Sequence, residues 1–138
     1  MEGFVPVGGV YIHISGTDLV RHTDGKFYVL EDNLRNPSGV SYVLSNRKAM
    51  RRTLYDMFQH TRVEDVSDYP NMLLETLKSV SPREDSDARC VLLTPGQYNS
   101  AYYEHSLLAQ RMGIDLVQGD DMVVEDKKVY LKTMRGRL

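Results

Sequence analysis

Asp18, Glu31 and Asn33 carry the chemistry that is most legible in this chain. They lie in the stretch from Gly16 to Gly39, GTDLVRHTDGKFYVLEDNLRNPSG, where the short apolar runs Leu19-Val20 and Phe27-Tyr28-Val29-Leu30 flank Asp24-Gly25. That pattern is the signature of a tight β-hairpin. With a two-residue loop, Thr23 faces Lys26, and counting outward brings Asp18 opposite Glu31 with Asn33 on the same face. Two carboxylates side by side on a sheet repel each other unless a cation sits between them. Hard oxygen donors with no His or Cys among them suit Mg²⁺, which holds oxygens at about 2.0–2.1 Å and often takes substrate phosphates as its remaining ligands. The same spacing also fits a solvent-facing hairpin with ordinary surface acids. A three-residue loop with Gly25 in a bulge would shift the pairing by one and turn Asp18 away from Glu31.

Two further segments could meet a ligand. Leu34-Arg35-Asn36-Pro37-Ser38-Gly39 cannot be regular structure, because Pro37 pushes Asn36 out of the helical region and Gly39 permits left-handed geometry. Such a loop can present N–H groups to an anion with Arg35 beside it, or simply connect the hairpin to the next helix. Farther on, Cys90 to Thr94 is a continuous apolar strand and Pro95-Gly96 turns the chain. Asn99 or Ser100 then caps a helix through Met112 that ends at Gly113, and Ile114 to Val117 is the next strand. This is a βαβ unit, whose first loop lies at the ligand-binding edge of a parallel sheet, so Pro95, Gly96, Tyr98 and Asn99 sit where ligands usually bind. A single glycine in that loop is no dinucleotide fingerprint.

The remaining elements must position these residues. Residues 1–9 read as an irregular lead-in, and Val10 to Ile14 as a strand with His13 packed in a sheet. The four histidines are isolated, with no second His or Cys at metal-ligand spacing. Ser45 is placed to cap a helix running to about Phe58, with Met50, Leu54, Met57 and Phe58 at helical spacing on one face. Arg47, Lys48, Arg51 and Arg52 lie on its other side, a pattern shared by a solvated face, a source of attraction for phosphate and a nucleic-acid contact. A second helix follows Pro70, burying Leu73, Leu74, Leu77 and Val80. The polar run Ser79 to Asp87 reads as a boundary. Met122 to Val124 and Val129 to Leu131 flank Glu125-Asp126-Lys127-Lys128 as a last hairpin, and the tail Met134 to Leu138 is expected to add no closing strand.

Composition excludes several classes. The 138 residues suffice for one domain or two small pieces, with 41% hydrophobic and 26% charged residues. A net charge of −2 gives no bulk attraction for nucleic acid or an anionic membrane. No apolar run is long enough to span a bilayer, and the first residues lack the build of a signal peptide. The single cysteine, Cys90, allows no internal disulfide, so the cytosol is the default compartment.

Several long motifs carry a family likeness. Gly16-Thr17-Asp18-Leu19-Val20-Arg21, then Tyr28-Val29-Leu30-Glu31-Asp32-Asn33-Leu34-Arg35, then Pro37-Ser38-Gly39-Val40-Ser41-Tyr42-Val43-Leu44 with Asn46-Arg47 and Ala49-Met50-Arg51-Arg52, resemble the circularly permuted ATP-grasp family. Val91-Leu92-Leu93-Thr94-Pro95-Gly96 followed by Tyr98-Asn99-Ser100-Ala101-Tyr102-Tyr103-Glu104-His105 resembles the Rossmann-like segment that precedes the ATP-grasp part in that family. The resemblance implies an α/β (α+β) fragment: a metal-binding antiparallel hairpin and two helices over residues 1–80, a linker over 81–87, and a Rossmann-like βαβ segment over 88–138. It implies a carboxylate–amine ligase of the glutathionylspermidine synthetase kind, acting through an acyl phosphate, with ATP as co-substrate and Mg²⁺ or Mn²⁺ as cofactor. The family's metal-ligand pattern falls on Asp18, Glu31 and Asn33, the residues the hairpin pairing selects. Arg35 would contact a transferred phosphate, Ser38 and the Gly39 N–H a substrate carboxylate or oxyanion, and Pro95, Gly96, Tyr98 and Asn99 the substrate. Its partners would be ATP and a small carboxylate, amine or peptide substrate, with neither nucleic acid nor membrane. Family members are several times longer, and the lysines that grip the nucleotide lie beyond the second motif. The expectation is weak ATP binding without turnover by these residues alone, whether they are a cut piece, a truncated gene or one subunit of a split enzyme. The competing expectation is a non-catalytic remnant that binds metal, phosphate or a partner. The identity of the carboxylate and amine is not written in these motifs.

Overall fold

The computed structural model describes residues 3–82 and 89–137. The chain forms two compact units, Met1–Gly39 and Val40–Leu138. The linker expected over 81–87 lies, from residue 83 onward, outside the described residues. The compact units divide at Gly39, and helices of the 40–79 region pack on the helix of the βαβ segment.

The first unit is built on an antiparallel pair, β1 (Gly16–Arg21) and β2 (Phe27–Asn33). Its loop has three residues rather than two. His22 N–H donates to the Lys26 carbonyl (2.9 Å), and Arg21 faces Phe27. The reason lies in Asp24, whose carboxylate accepts from Lys26 N–H and from the Tyr28 hydroxyl, both at 2.9 Å, while Gly25 supplies the positive φ of +82°. The Lys26 N–H and then the Tyr28 hydroxyl hold the Asp24 carboxyl below its ordinary 3.8. The longer loop shifts the pairing by one, with Leu19 opposite Val29, but the register shifts again between Asp18 and Leu19, and Asp18 comes opposite Glu31. Leu30 is the extra residue of that bulge.

No strand forms over Val10–Ile14. That segment is irregular, its residues through His13 are exposed, and His13 therefore packs in no sheet. Gly8 and Gly9 precede it with positive φ, and the Tyr11 hydroxyl donates to the Phe4 carbonyl (2.9 Å), so the segment folds back as a loop.

The second unit opens with α1 (Val40–Thr53) and α2 (Tyr55–His60), followed by α3 (Tyr69–Ser79). Helix α1 begins five residues before Ser45, which lies inside it and shares a 2.5 Å hydrogen bond with the Tyr103 hydroxyl. The start is fixed by the buried Glu104 carboxylate, which accepts from Ser41 N–H at 3.3 Å and places an anion at the positive end of the helix. Leu54 leaves helical geometry (φ −115°, ψ 43°), so the expected single helix to Phe58 is two. The buried face of α1 is Ser41 and Leu44, while Met50, Leu54 and Met57 are exposed. Pro70 sits in the first turn of α3, and Val80 is its half-exposed C-cap rather than a core residue.

Strand β3 (Val91–Leu93), helix α4 (Tyr102–Met112) and strand β4 (Asp115–Val117) form a parallel βαβ unit, extended by Thr94 N–H donating to the Val117 carbonyl (2.8 Å). Helix α4 starts after Asn99 and Ser100 because the Asn99 side-chain oxygen accepts from Ala101 N–H (2.9 Å), making a turn ahead of the helix. Gly113 closes it in left-handed geometry. Leu44, Ala109, Met112 and Val117 are the buried hydrophobic residues among those described. Strands β5 (Met122–Glu125) and β6 (Lys128–Thr133) pair around a two-residue turn at Asp126-Lys127, and β7 (Gly136–Arg137) adds to β6, so the tail does carry a closing strand.

Burial, and then the charge of Glu104, push the Tyr69 phenol above its ordinary 10.0. The folded chain thus holds that proton more tightly than the unfolded one. The resulting stability is intact below about pH 10 and is lost as pH rises through the folded pKa. Tyr69→Phe is expected to flatten the alkaline fall in unfolding free energy, measured by denaturant melts between pH 9 and about 11; superimposable profiles for parent and variant would contradict it.

Candidate metal and phosphate site

Residues opposite each other across β1 and β2 share a face. Asp18 faces Glu31, and Asn33, two residues on from Glu31 and opposite Gly16, lies on that face too. The Asn33 amide donates to Glu31 Oε1 at 3.5 Å, so these two side chains converge. Asp32 points to the other side, where its carboxylate accepts from the Thr17 hydroxyl at 2.6 Å. Among the described residues, neither Asp18 nor Glu31 has a cationic partner within 4.0 Å, and Asp18 has no hydrogen-bond donor. Two exposed carboxylates and a carboxamide oxygen make a hard donor set open to solvent, which fits Mg²⁺ or Mn²⁺. No group of three or more His, Cys, Asp or Glu residues gathers among the described residues, so the donor set depends on the Asn33 oxygen.

Gly16 is a residue that its place in a motif did not mark as structural. A Cβ there would come within 3.0 Å of Pro37 Cβ and 3.7 Å of Asn33 Cβ. The missing side chain lets the 34–39 loop fold back over the acid end of the hairpin. Arg35 and Ser38 on that loop are exposed, and Gly39 has a φ of +101°. The structure thus sets Asp18, Glu31 and Asn33 on one face of the hairpin and lays the loop's Pro37 against its strand end. Among the described residues, neither Arg35 nor Ser38 has a side-chain hydrogen bond or ion pair with these acids.

In the second unit, the residues expected to face substrate differ among themselves. Tyr98 is 95% exposed, Pro95 is exposed, and Gly96 is buried with φ +105°. The Asn99 oxygen is turned into its own loop, on Ala101 N–H. Sequence spacing missed the residues that hold this loop. Thr94, 2% exposed, accepts from Gly96 N–H (3.2 Å) and is 2.9 Å from His105 Nδ1. Thr94 Oγ1 and His105 Nδ1 share a hydrogen bond whose direction follows the ring tautomer. His105, isolated in sequence, therefore ties strand, loop and helix together. Only the return of α4 over β3 brings it there.

The chain matches the family described as circularly permuted ATP-grasp type 2 over residues 1–138. It belongs to that family. An uncharacterized Synechocystis protein is 53% identical over 134 residues, which are 97% of this chain and 28% of the relative. An uncharacterized Mycobacterium tuberculosis protein is 51% identical over 134 residues, 97% of this chain and 24% of the relative. A Frankia casuarinae protein provisionally named glutamate–cysteine ligase 2-2 is 37% identical over 124 residues, 89% of this chain and 14% of the relative. This ATP-grasp chain therefore spans about a quarter of the length of the first two relatives. Its mixed α/β architecture of small sheets and helices is compatible with a fragment of that fold. Among the described residues, no helix is long and apolar enough to cross a membrane.

Gly16→Ala is expected to lower stability by about 1–3 kcal/mol, the usual cost of overpacking. It should also shift the amide resonances of Asn33 and of residues 36–39. A variant with unchanged melting and unchanged spectra would show that Pro37 does not rest on this strand.

Proposed function

We propose that this chain supplies the metal-binding and phosphate-binding part of an ATP-dependent carboxylate–amine ligase. The observation that carries the reading is the register that sets Asp18 across from Glu31 with Asn33 on the same face. Residues 1–80 then correspond to the ATP-grasp part and 88–138 to the Rossmann-like segment that precedes it. Asp18, Glu31 and the Asn33 oxygen would hold Mg²⁺ or Mn²⁺. When bound, the ion neutralises charge on the phosphates of ATP and on the group in flight.

In such a ligase a substrate carboxylate oxygen attacks the γ-phosphorus of ATP, ADP leaves, and an acyl phosphate forms. An amine then attacks the acyl carbon, phosphate leaves and the nitrogen gives up a proton. Arg35, exposed on the loop beyond β2, is assigned to the transferred phosphate. The Ser38 hydroxyl and Gly39 N–H are assigned to the carboxylate or its oxyanion, a role for pre-positioned donors. In the other unit, Pro95, Gly96, Tyr98 and Asn99 are assigned to substrate, with the exposed Tyr98 ring the reaching group and Gly96 and Asn99 shaping the loop. A cytosolic setting and a small carboxylate, amine or peptide substrate belong to the same proposal.

A second reading has one observation in its favour. Leu19, Phe27, Val29 and Leu30 on the hairpin are each more than half exposed, an apolar surface suited to docking by a non-catalytic remnant.

Glu31→Gln is expected to weaken Mn²⁺ binding, read from water-proton relaxation, roughly tenfold, the usual scale of one lost charged ligand. Metal-free stability should stay equal or rise by about 0.2–1 kcal/mol as the facing charges are relieved. Unchanged Mn²⁺ affinity would remove the basis of the proposal. By calorimetry, the 138 residues alone are expected to bind Mg·ATP weakly and without turnover; tight binding would show that they form a complete nucleotide site.

A further inference from the structure

A cleft of about 540 Å³ lies wholly within the second unit, lined by α1, α2, the connection between α2 and α3, and the last turn of α4. Its size is that of a small-molecule site, roughly 300–1,000 Å³. Arg47, Lys48, Arg51 and Arg52 reach it from α1, and their spacing puts them on one stripe of that helix. Arg111 joins them from α4. Five cations thus line the cleft against one carboxylate, Asp65, in a chain whose net charge is −2.

Few of these charges are neutralised. The Arg47 guanidinium donates to the Glu64 carbonyl (2.8 Å), which fixes the connection to α1 and leaves the positive charge in place. Both oxygens of Asp65 are engaged by Ser67, through its N–H and its hydroxyl, each at 2.9 Å. Among the described residues, the side chains of Lys48, Arg52 and Arg111 have neither a hydrogen bond nor an ion pair. Arg47 and Arg51, and likewise Lys48 and Arg52, stand four apart, a like-charge spacing that destabilises a helix. An anion between them would reverse that cost. The rest of the lining is apolar and aromatic, with Leu44 and Val66 beside Tyr55 and Phe58.

We propose that this cleft binds a small organic phosphate. Lys48, Arg51 and Arg52 meet its phosphate oxygens, and its apolar or aromatic body lies against Tyr55 and Phe58. A doubly charged phosphate matches several convergent cations better than a single carboxylate does, and guanidinium forks suit its oxygens. The site uses no residue of the first unit and needs no metal, so it stands apart from the proposal on the hairpin acids.

The test is a fluorescence titration of the 138-residue chain with 2-naphthyl phosphate in the presence of EDTA. Parallel titrations use 2-naphthol, 2-naphthoate, inorganic phosphate and a short single-stranded DNA. The expected result is that 2-naphthyl phosphate binds at least about tenfold tighter than any of the others. Lys48→Glu and Arg52→Glu, both at exposed positions, should each weaken it about tenfold with circular dichroism unchanged. Phe58→Leu should weaken the naphthyl compound and leave inorganic phosphate unaffected. The proposal is overturned if 2-naphthyl phosphate does not bind, if 2-naphthol or 2-naphthoate matches it, if the charge reversals leave its affinity within about twofold, or if the DNA binds more tightly.

Discussion

The repulsion between Asp18 and Glu31 is the constraint around which the first unit is arranged. At exposed positions a facing like-charge pair costs on the order of 0.2–1 kcal/mol. That is a large fraction of what a two-stranded hairpin, marginal on its own, can supply. The chain nevertheless holds the pair in register by a specific device. The tip favours a three-residue loop because Asp24 gathers Lys26 N–H and the Tyr28 hydroxyl, and left alone that loop would turn Asp18 away from Glu31. The bulge at Leu30 cancels the slip.

Other carboxylates in the chain show what an acid with a structural role looks like. Asp24 is fixed by loop donors, Asp32 by the Thr17 hydroxyl, Asp65 by Ser67, and Glu104, buried, by Ser41 N–H at the start of α1. Each is a carboxylate with donors directed at it. Asp18 has none among the described residues, and Glu31 has only the amide of Asn33, which is itself one of the proposed ligands. Gly16 extends the arrangement, since its bare Cα is what lets Pro37 close over the same end of the hairpin. The basic cleft in the second unit follows the same physics with the sign reversed: like charges gathered on one helix stripe, of which the Lys48 and Arg52 side chains have no partner among the described residues.

Legibility followed the range of the interactions involved. The facing of Asp18 and Glu31 was legible from the turn signal and strand alternation with a two-residue loop, whereas the structure reaches it through a three-residue loop and a bulge between Asp18 and Leu19 that the sequence did not mark. The βαβ order over 91–117 was readable from a continuous apolar strand, a Pro-Gly turn and a glycine stop. Most of what failed depended on contacts distant in sequence. Ser45 looked like a cap, yet the cap of α1 is a carboxylate 63 residues from Ser41. Val10–Ile14 had the composition of a strand and no partner to pair with. The tail is different, since it pairs locally with β6, Thr133 opposite Gly136 and Lys132 opposite Arg137. The Thr94–His105 contact closes only when the helix returns over the strand.

Carbon-13 NMR of the side-chain carboxyl groups during a Mg²⁺ titration tests the central claim most directly. The account predicts that the Asp18 and Glu31 resonances shift together along one saturation curve, accompanied by the Asn33 carboxamide, while Asp24, Asp32 and Asp65 stay still. Shifts spread evenly over all exposed acids, or confined to one of the pair, would contradict it.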